Sequence, residues 1–240
     1  RRNSHAYGLL HAVCATAVTD GLLPSNPCNI PKVMNPPTVR QPVILETSEV
    51  AALADEMPEH LKALVLVLAW CAPRWGEAAE LRRRDLNADC SVLTIERAVT
   101  HRDKQCSVGS PKSGKGRKVV VPPHIRPALL NHLKKHVAKG ADALLFSPVN
   151  GGCHLNDKVF RDSYYMPALA KIGRDGEKKP RPTIHDLRHF AGTQTARVGN
   201  TVETMQRLGH STVKASLIYQ QIVHGRDAEV ADALSKLAET

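Results

Sequence analysis

His185, Arg188, His210 and Tyr219 fall inside two short segments, Thr183-Ile-His-Asp-Leu-Arg-His189 and Leu208-Gly-His-Ser-Thr-Val-Lys-Ala-Ser-Leu-Ile-Tyr219. Arginine is a fixed bidentate clamp for phosphate oxygens. Histidine donates or accepts a proton near neutral pH. Tyrosine can attack as a covalent nucleophile. Two imidazoles, a guanidinium and a phenol in this order suit chemistry on a phosphodiester.

The elements around them set their geometry. Thr183 and Asp186 form a Thr-x-x-Asp capping pattern, which puts His185 in the first turn of a helix. His185 and Arg188 are three residues apart and share a helix face. The free N–H groups and positive dipole end of that helix add to an anion site. Gly209 stops a helix that starts at residue 201, leaving His210 just beyond it. Tyr219 then lies about two and a half turns into the next helix. Of the four tyrosines, Tyr164 and Tyr165 sit in an amphipathic stretch and Tyr7 in the amino-terminal piece, so only Tyr219 is near the cluster. Upstream, Arg74 follows a strongly apolar run. A charge there must reach solvent or a partner, and Glu77 is placed to brace it.

The chain has 240 residues, 42% of them hydrophobic, 4% aromatic and a formal net charge of +10. A core of Leu, Val, Ile and Ala is expected, and the charge favours a polyanionic partner, by default nucleic acid. The cysteines at 14, 28, 71, 90, 106 and 153 contain no Cys-x-x-Cys pair, so they read as free thiols of a reducing compartment. The apolar run from Ala63 to Cys71 is too short to span a membrane, and no signal peptide is visible. The Arg-Arg start without Met reads as a trimmed fragment.

Apolar spacing predicts a helix over 5–19, stopped by Gly21. Six prolines between Leu23 and Pro42 make a stiff connector, read as an interdomain linker. Thr47 is read as an N-cap with Glu49 in the first turn. A buried helix is expected at 61–72, strands at 92–100 and 117–121 with a flexible basic loop at 109–116 between them, and helices at 124–138, 156–172, 184–198, 201–208, 212–222 and 227–239. The fold class is α+β, mainly α-helical, with a small antiparallel sheet.

With these residues in place, the chain resembles a tyrosine recombinase of the phage integrase family. The family's first box, an Arg after an apolar helix with x-x-Glu-x-x-x-Leu behind it, is matched by Arg74, Glu77 and Leu81. Its His-x-x-Arg is matched by His185 and Arg188, its Leu-Gly-His by Leu208 to His210, and its nucleophile by Tyr219. The family lysine is most similar to Lys112 in Ser-Pro-Lys-Ser-Gly-Lys-Gly-Arg-Lys, with Lys115 and Lys118 as alternatives. Pro73 and Trp75 stand where many relatives carry smaller residues. The resemblance spans 43–240 as a catalytic domain. It makes 24–42 the linker and 1–23 the last helix of a truncated core-binding domain.

The resemblance implies in-line attack by Tyr219 to give a 3′-phosphotyrosine and a free 5′-hydroxyl. Arg74 and Arg188 would clamp the non-bridging oxygens, and Lys112 would protonate the leaving oxygen. His185 would assist proton transfer, His210 would bond the phosphate, and Glu77 and Asp186 would support them. Energy stays in the covalent bond, so no cofactor and no metal is needed. Arg82, Arg83, Arg84, Lys104, Lys115, Arg117 and Lys118 are expected to track DNA phosphates. The implied partners are double-stranded attachment or crossover sites, further copies in a tetramer docked through a terminal helix carrying Val230, Leu234 and Leu237, and a DNA-bending accessory protein, in a bacterial cytoplasm at the nucleoid. Three other readings compete: a zinc hydrolase using His185, Asp186 and His189, a type IB topoisomerase, and a non-enzymatic DNA-binding regulator. Against the first, Arg188 crowds the cation and no third ligand is evident.

Overall fold

In a computed structural model the chain divides into two units, Arg1–Gln41 and Pro42–Thr240. Residues 2–31, 33, 40–102, 105–148, 151–222, 231–232 and 235 are described. The first unit is built on helix α1 (Arg2–Thr19), which starts three residues earlier than its spacing predicts. Gly21 takes a left-handed φ of 73° and turns the chain back. The segment beyond it is tied down where the Asn26 amide donates to the His11 carbonyl at 2.9 Å and Tyr7 Oη accepts from the Ile30 N–H at 2.7 Å. Residues 32 and 34–39 of the expected linker lie outside the described residues.

The second unit begins with α2 (Thr47–Asp55). Its N-cap is Glu46, one residue before the expected Thr47. Glu49 lies at the spacing from which a carboxylate closes on the cap N–H, and it accepts from Glu46 N at 3.0 Å. Next, α3 (Glu59–Cys71) is the apolar helix expected at 61–72, with Leu61, Leu64, Val65 and Leu68 buried. It is central because apolar residues cover most of its circumference. It ends at Ala72, which has a left-handed φ of 57°, and α4 (Trp75–Glu80) follows at once. Gly76 brings α4 down on the next strand layer, since a Cβ there would stand 2.4 Å from the Val99 carbonyl oxygen.

The single strand expected at 92–100 is two, β1 (Val92–Ile95) and β2 (Ala98–Arg102), and a third strand, β3 (Gln105–Gly109), was not anticipated. With β4 (Arg117–Val120) they make two separate antiparallel pairs, β1 with β4 and β2 with β3, so the small antiparallel sheet is a pair of two-stranded ladders. Leu93 and Ile95 face the core and pair across with Val119 and Arg117. The polar Gln105-Cys-Ser-Val sequence hides β3. Its pairing comes from the facing strand, because the β2–β3 ladder is mostly open to solvent.

The helices α5 (Arg126–Lys135), α6 (Asp157–Phe160) and α7 (Met166–Lys171) follow, the last two joined by a π turn at Arg161–Tyr165 within the helical stretch expected at 156–172. The bundle closes with α8 (Ile184–Val198), α9 (Thr201–Leu208) and α10 (Val213–Ile222). Thr183 caps α8 as expected, with Asp186 accepting from its N–H at 2.8 Å. Most of the terminal helix expected at 227–239, including Val230, Leu234 and Leu237, lies outside the described residues.

The free-thiol reading needs correction at one pair. Cys106 on β3 and Cys153 are disulfide-bonded, 47 residues apart in sequence with Cα atoms 6.3 Å apart, while Cys71 and Cys90 are buried free thiols. Topology creates that pairing, and no local spacing announces it. Among the described residues no helix is long and apolar enough to cross a membrane.

Leu64 on α3 is 1% exposed. Replacing it with Ala is expected to cost about 2–5 kcal/mol of unfolding free energy, read as a lower urea midpoint with an unchanged slope.

Candidate active site

Three arginines from three elements meet at the end of α3. The left-handed turn at Ala72 frees its carbonyl, and both Arg188 of α8 and Arg117 of β4 donate to it, the latter at 3.2 Å. Arg188 also donates to the Leu208 carbonyl, and Arg117 Nε donates to the Arg207 carbonyl at 3.1 Å. These acceptors are the orphan carbonyls at the ends of α3 and α9, where the dipoles favour cations.

Arg74, at the N-cap of α4, completes the set. Its backbone N–H donates to Glu77 Oε2 and its guanidinium to Glu77 Oε1, both at 2.9 Å. Arg117 donates to Glu77 Oε2 at 2.8 Å. Glu77 is 1% exposed and Arg188 3% exposed. Burial alone would raise the Glu77 carboxyl, but the hydrogen bonds and charges of Arg117 and Arg74 hold it below the usual range. One carboxylate therefore bonds two guanidiniums, and its charge also acts on Arg188. The Arg117 NH1 group is buried without a hydrogen-bond partner, and burial, then the charges of Arg74 and Arg117, bring Arg188 down to about 10. Such a cluster is built to receive an anion.

The imidazoles stand beside this cluster in neutral form. Burial, with His189 and the arginines behind it, pushes His185 down to about 4. Burial and the charges of Arg188, Arg74 and Arg117 do the same to His210, also to about 4. The His210 ring stacks on the Tyr219 ring with centroids 5.9 Å apart, and its Nδ1 is 3.1 Å from Ser216 Oγ. The His189 ring lies 5.7 Å from Tyr219 and 5.0 Å from His185. Tyr219 is itself only 3% exposed. Burial raises its phenol, against a downward pull from Arg188 and Arg74. The ring lies on the bare Cα of Gly192 in α8, where a Cβ would come within 2.5 Å of Tyr219 Cε1.

Two openings flank the cluster. One, of about 260 Å³, is lined by Pro73, Trp75, Asp157, His185 and Arg188. The other is a groove of about 840 Å³ lined by Lys115, Arg117, Lys118, Gly209 and His210.

The structure thus brings Arg74, Glu77, His185, Arg188, His210 and Tyr219 together. Asp186 is buried at the start of α8, where it holds the cap. Lys112 is exposed in the turn closed by the Gly114 N–H donating to the Pro111 carbonyl at 2.8 Å, while Lys115 and Lys118 line the His210 groove. The residues expected to track DNA phosphates are placed unevenly. Arg117 has a side chain only 7% exposed and belongs to the buried cluster. Arg82 pairs with Glu80 and Asp142, and Arg84 with Asp142. Arg83 donates to the Leu133, Val137 and Ala138 carbonyls. Lys104 lies outside the described residues. Sequence reasoning missed Arg117 as part of the cluster, the Ala72 carbonyl and Gly192. Only the turn after the apolar helix hinted at the second.

Residues 44–225 match the Phage integrase family. The chain is 40% identical over 239 residues to the putative prophage phiRv2 integrase of Mycobacterium tuberculosis, covering 98% of this chain and 62% of that protein. It is 36% identical over 242 residues to the integrase of Mycobacterium phage L5, covering 98% and 63%. The chain thus spans less than two thirds of the length of these relatives. Its fold is that of a tyrosine recombinase catalytic domain. The Tn1549 transposon integrase in complex with a circular intermediate DNA superposes with a TM-score of 0.76 at 18% identity, covering 96% of this chain and 77% of that one. The XerA recombinase gives 0.57 at 22% identity, covering 96% and 74%.

The neutral imidazoles give a pH signature. His185 and His210 fall from the ordinary 6.5 to about 4 in the folded chain, so between those values the unfolded chain binds protons that the folded chain refuses. Their contribution to stability is intact above about pH 6.5 and is lost as pH falls towards 4. The thermal midpoint is expected to drop across that window, and a His185→Gln/His210→Gln double variant to drop less. A double variant that follows the parent slope would contradict the buried neutral state.

Proposed function

The chain belongs to the Phage integrase family, and from that membership we propose that it is the catalytic part of a site-specific DNA recombinase that cuts and rejoins strands through a 3′-phosphotyrosine. One observation carries the reading. Three guanidiniums gather at one buried carboxylate, two of them bonded to it, beside a buried phenol and two neutral imidazoles. That arrangement suits a scissile phosphate, whose negative charge grows at the non-bridging oxygens in the transition state.

In the proposed step, Arg74 and Arg188 hold the non-bridging oxygens, and Arg117 supports them through Glu77. The Tyr219 oxygen attacks phosphorus in line, forming the P–O(Tyr) bond as the P–O5′ bond breaks. The phenolic proton passes to a neutral imidazole, a role we assign to His185, whose ring meets that of His189 beside Tyr219, and His210 bonds a phosphate oxygen. Lys112 gives its proton to the departing 5′-oxygen, with Lys115 and Lys118 as the alternatives nearer the His210 groove. Resealing by a partner 5′-hydroxyl runs the same steps backwards, so the bond energy is kept and no cofactor is needed.

Within the proposed division into 1–23 as the end of a core-binding domain, 24–42 as linker and 43–240 as catalytic domain, the start of the last is supported by the boundary between Gln41 and Pro42. The proposed partners are double-stranded crossover sites, further copies of the chain in a synaptic tetramer and a DNA-bending protein, acting at a bacterial nucleoid. The Tn1549 transposon integrase structures, in complex with circular intermediate DNA, support the first of these.

The test is covalent trapping on a nicked duplex whose site has been selected by binding from a randomised pool. The full chain is expected to form a protein–DNA adduct and Tyr219→Phe none. Binding without an adduct from either protein would favour a DNA-binding regulator, and relaxation of plasmid lacking the site would favour a topoisomerase. Removing the Arg188 guanidinium is expected to slow adduct formation on the order of 10²–10³-fold, the usual loss for one oxyanion donor. Gly192→Ala pushes on the nucleophile itself. It is expected to slow trapping about 10²-fold, the scale of an ångström misplacement, with DNA binding retained in a gel-shift assay.

A further inference from the structure

A second cluster of chemically competent side chains lies away from the arginines, where the β2–β3 hairpin meets the loop before α6. His101 and Cys106 face each other as register partners on β2 and β3. Cys153 and His154 come from the loop. One ligand atom each of His101, Cys106 and Cys153 lie within 4.8 Å of one another. Tetrahedral zinc with sulfur ligands at about 2.3 Å and nitrogen at about 2.0 Å needs donors at such spacing.

The disulfide between Cys106 and Cys153 accounts for the sulfurs but leaves the histidines unexplained. His101 Nε2 and His154 Nδ1 are both buried without a hydrogen-bond partner. Two orphan ring nitrogens beside a cysteine pair are costly unless something binds them. His154 is also oriented as a metal ligand is. Its Nε2 bonds the buried Glu80 carboxylate at 2.5 Å, which fixes the tautomer and leaves the Nδ1 lone pair free. The His101 and His154 rings are edge-on with centroids 6.3 Å apart; His154 stands outside the group of three donors, and its ring must move to take the fourth position.

We propose that Cys106, Cys153, His101 and His154 form a structural site for a thiophilic divalent cation of the zinc class when the cysteine pair is reduced. The exchange balances. Two equivalents of a small-molecule thiol give two electrons and two protons to the disulfide and are themselves joined as a disulfide. Binding of the cation by the two thiols then releases two protons, and the imidazoles bind as neutral donors. The site pins the tip of the β2–β3 hairpin to the loop before α6, and the basic loop bearing Lys112 leaves from the other end of the same hairpin. It plays no part in the phosphate chemistry proposed above, so it stands or falls separately.

The full chain, purified under a non-thiol reductant, supplied with excess zinc and then dialysed against metal-free buffer, is expected to retain about one zinc per chain. The His101→Ala and Cys153→Ser variants are expected to lose it, while Cys14→Ser keeps it. Chelation should lower the thermal midpoint of the parent and leave that of both variants unchanged. Should a variant fail to fold, cobalt added to the parent gives a second measure, since tetrahedral thiolate coordination has intense visible bands. The proposal is overturned if the reduced parent binds neither metal stoichiometrically, if both variants keep the metal, or if intact mass shows the pair still disulfide-bonded under reductant.

Discussion

Like charges do not gather without something to hold them. Here a single carboxylate, Glu77, and the spare carbonyls at the ends of α3 and α9 hold three guanidiniums together. A buried cation with one hydrogen-bonded partner is tolerable, whereas a buried excess of cations is a standing demand for an anion. The rest of the second unit meets the geometry of that demand. The burial of α3 fixes Ala72, whose left-handed turn aims its carbonyl at Arg188 and Arg117. The capped start of α8 fixes Arg188, and the β1–β4 ladder fixes Arg117.

The same excess of positive charge, second to burial, acts on the other groups. Together with burial it keeps His185 and His210 neutral, and it works against burial at the Tyr219 phenol. An anion entering the cluster weakens the positive field that these groups feel. The imidazoles then hold a proton more readily, at the moment when the phenol has one to lose. Acid–base readiness is in this way tied to occupation of the site, and the phenol stays protonated and packed on Gly192 until then.

The sequence made the motif residues legible because each is marked locally. Thr183 and Asp186 announce a helix start, Gly209 a helix stop, and the apolar run before Arg74 a core helix that must end. The order of the arginines, histidines and tyrosine then carried the family resemblance, which the match over residues 44–225 supports. What depends on pairing at a distance was not legible. The charges of Arg83 and Arg84 looked free because the carbonyls near the end of α5 and Asp142 are fifty to sixty residues away in the chain, while Arg82 divides between distant Asp142 and Glu80 close by. Arg117 read as one more cation tracking DNA phosphates because nothing on its strand points to Glu77, 40 residues earlier. The polar strand β3 and the Cys106–Cys153 pair were hidden for the same reason.

The six-residue helix α4 links the two halves of this arrangement. Glu77 serves the arginine cluster. Glu80, three residues on and equally buried, accepts from Arg82 and Arg97 and bonds His154. Arg97 continues the chain of contacts to Asp85, with both oxygens engaged at 2.8 and 2.6 Å. Gly76 lets the helix touch the β2 backbone. A displacement of the hairpin is therefore resisted by buried charge pairs on the helix that also braces Arg74. The exposed turn carrying Lys112 can stay open to solvent because its two ends are fixed. Pro111 is buried at one end and β4 is registered on β1 at the other. A basic loop with fixed ends has a short reach, and that limits which phosphate its lysines can serve.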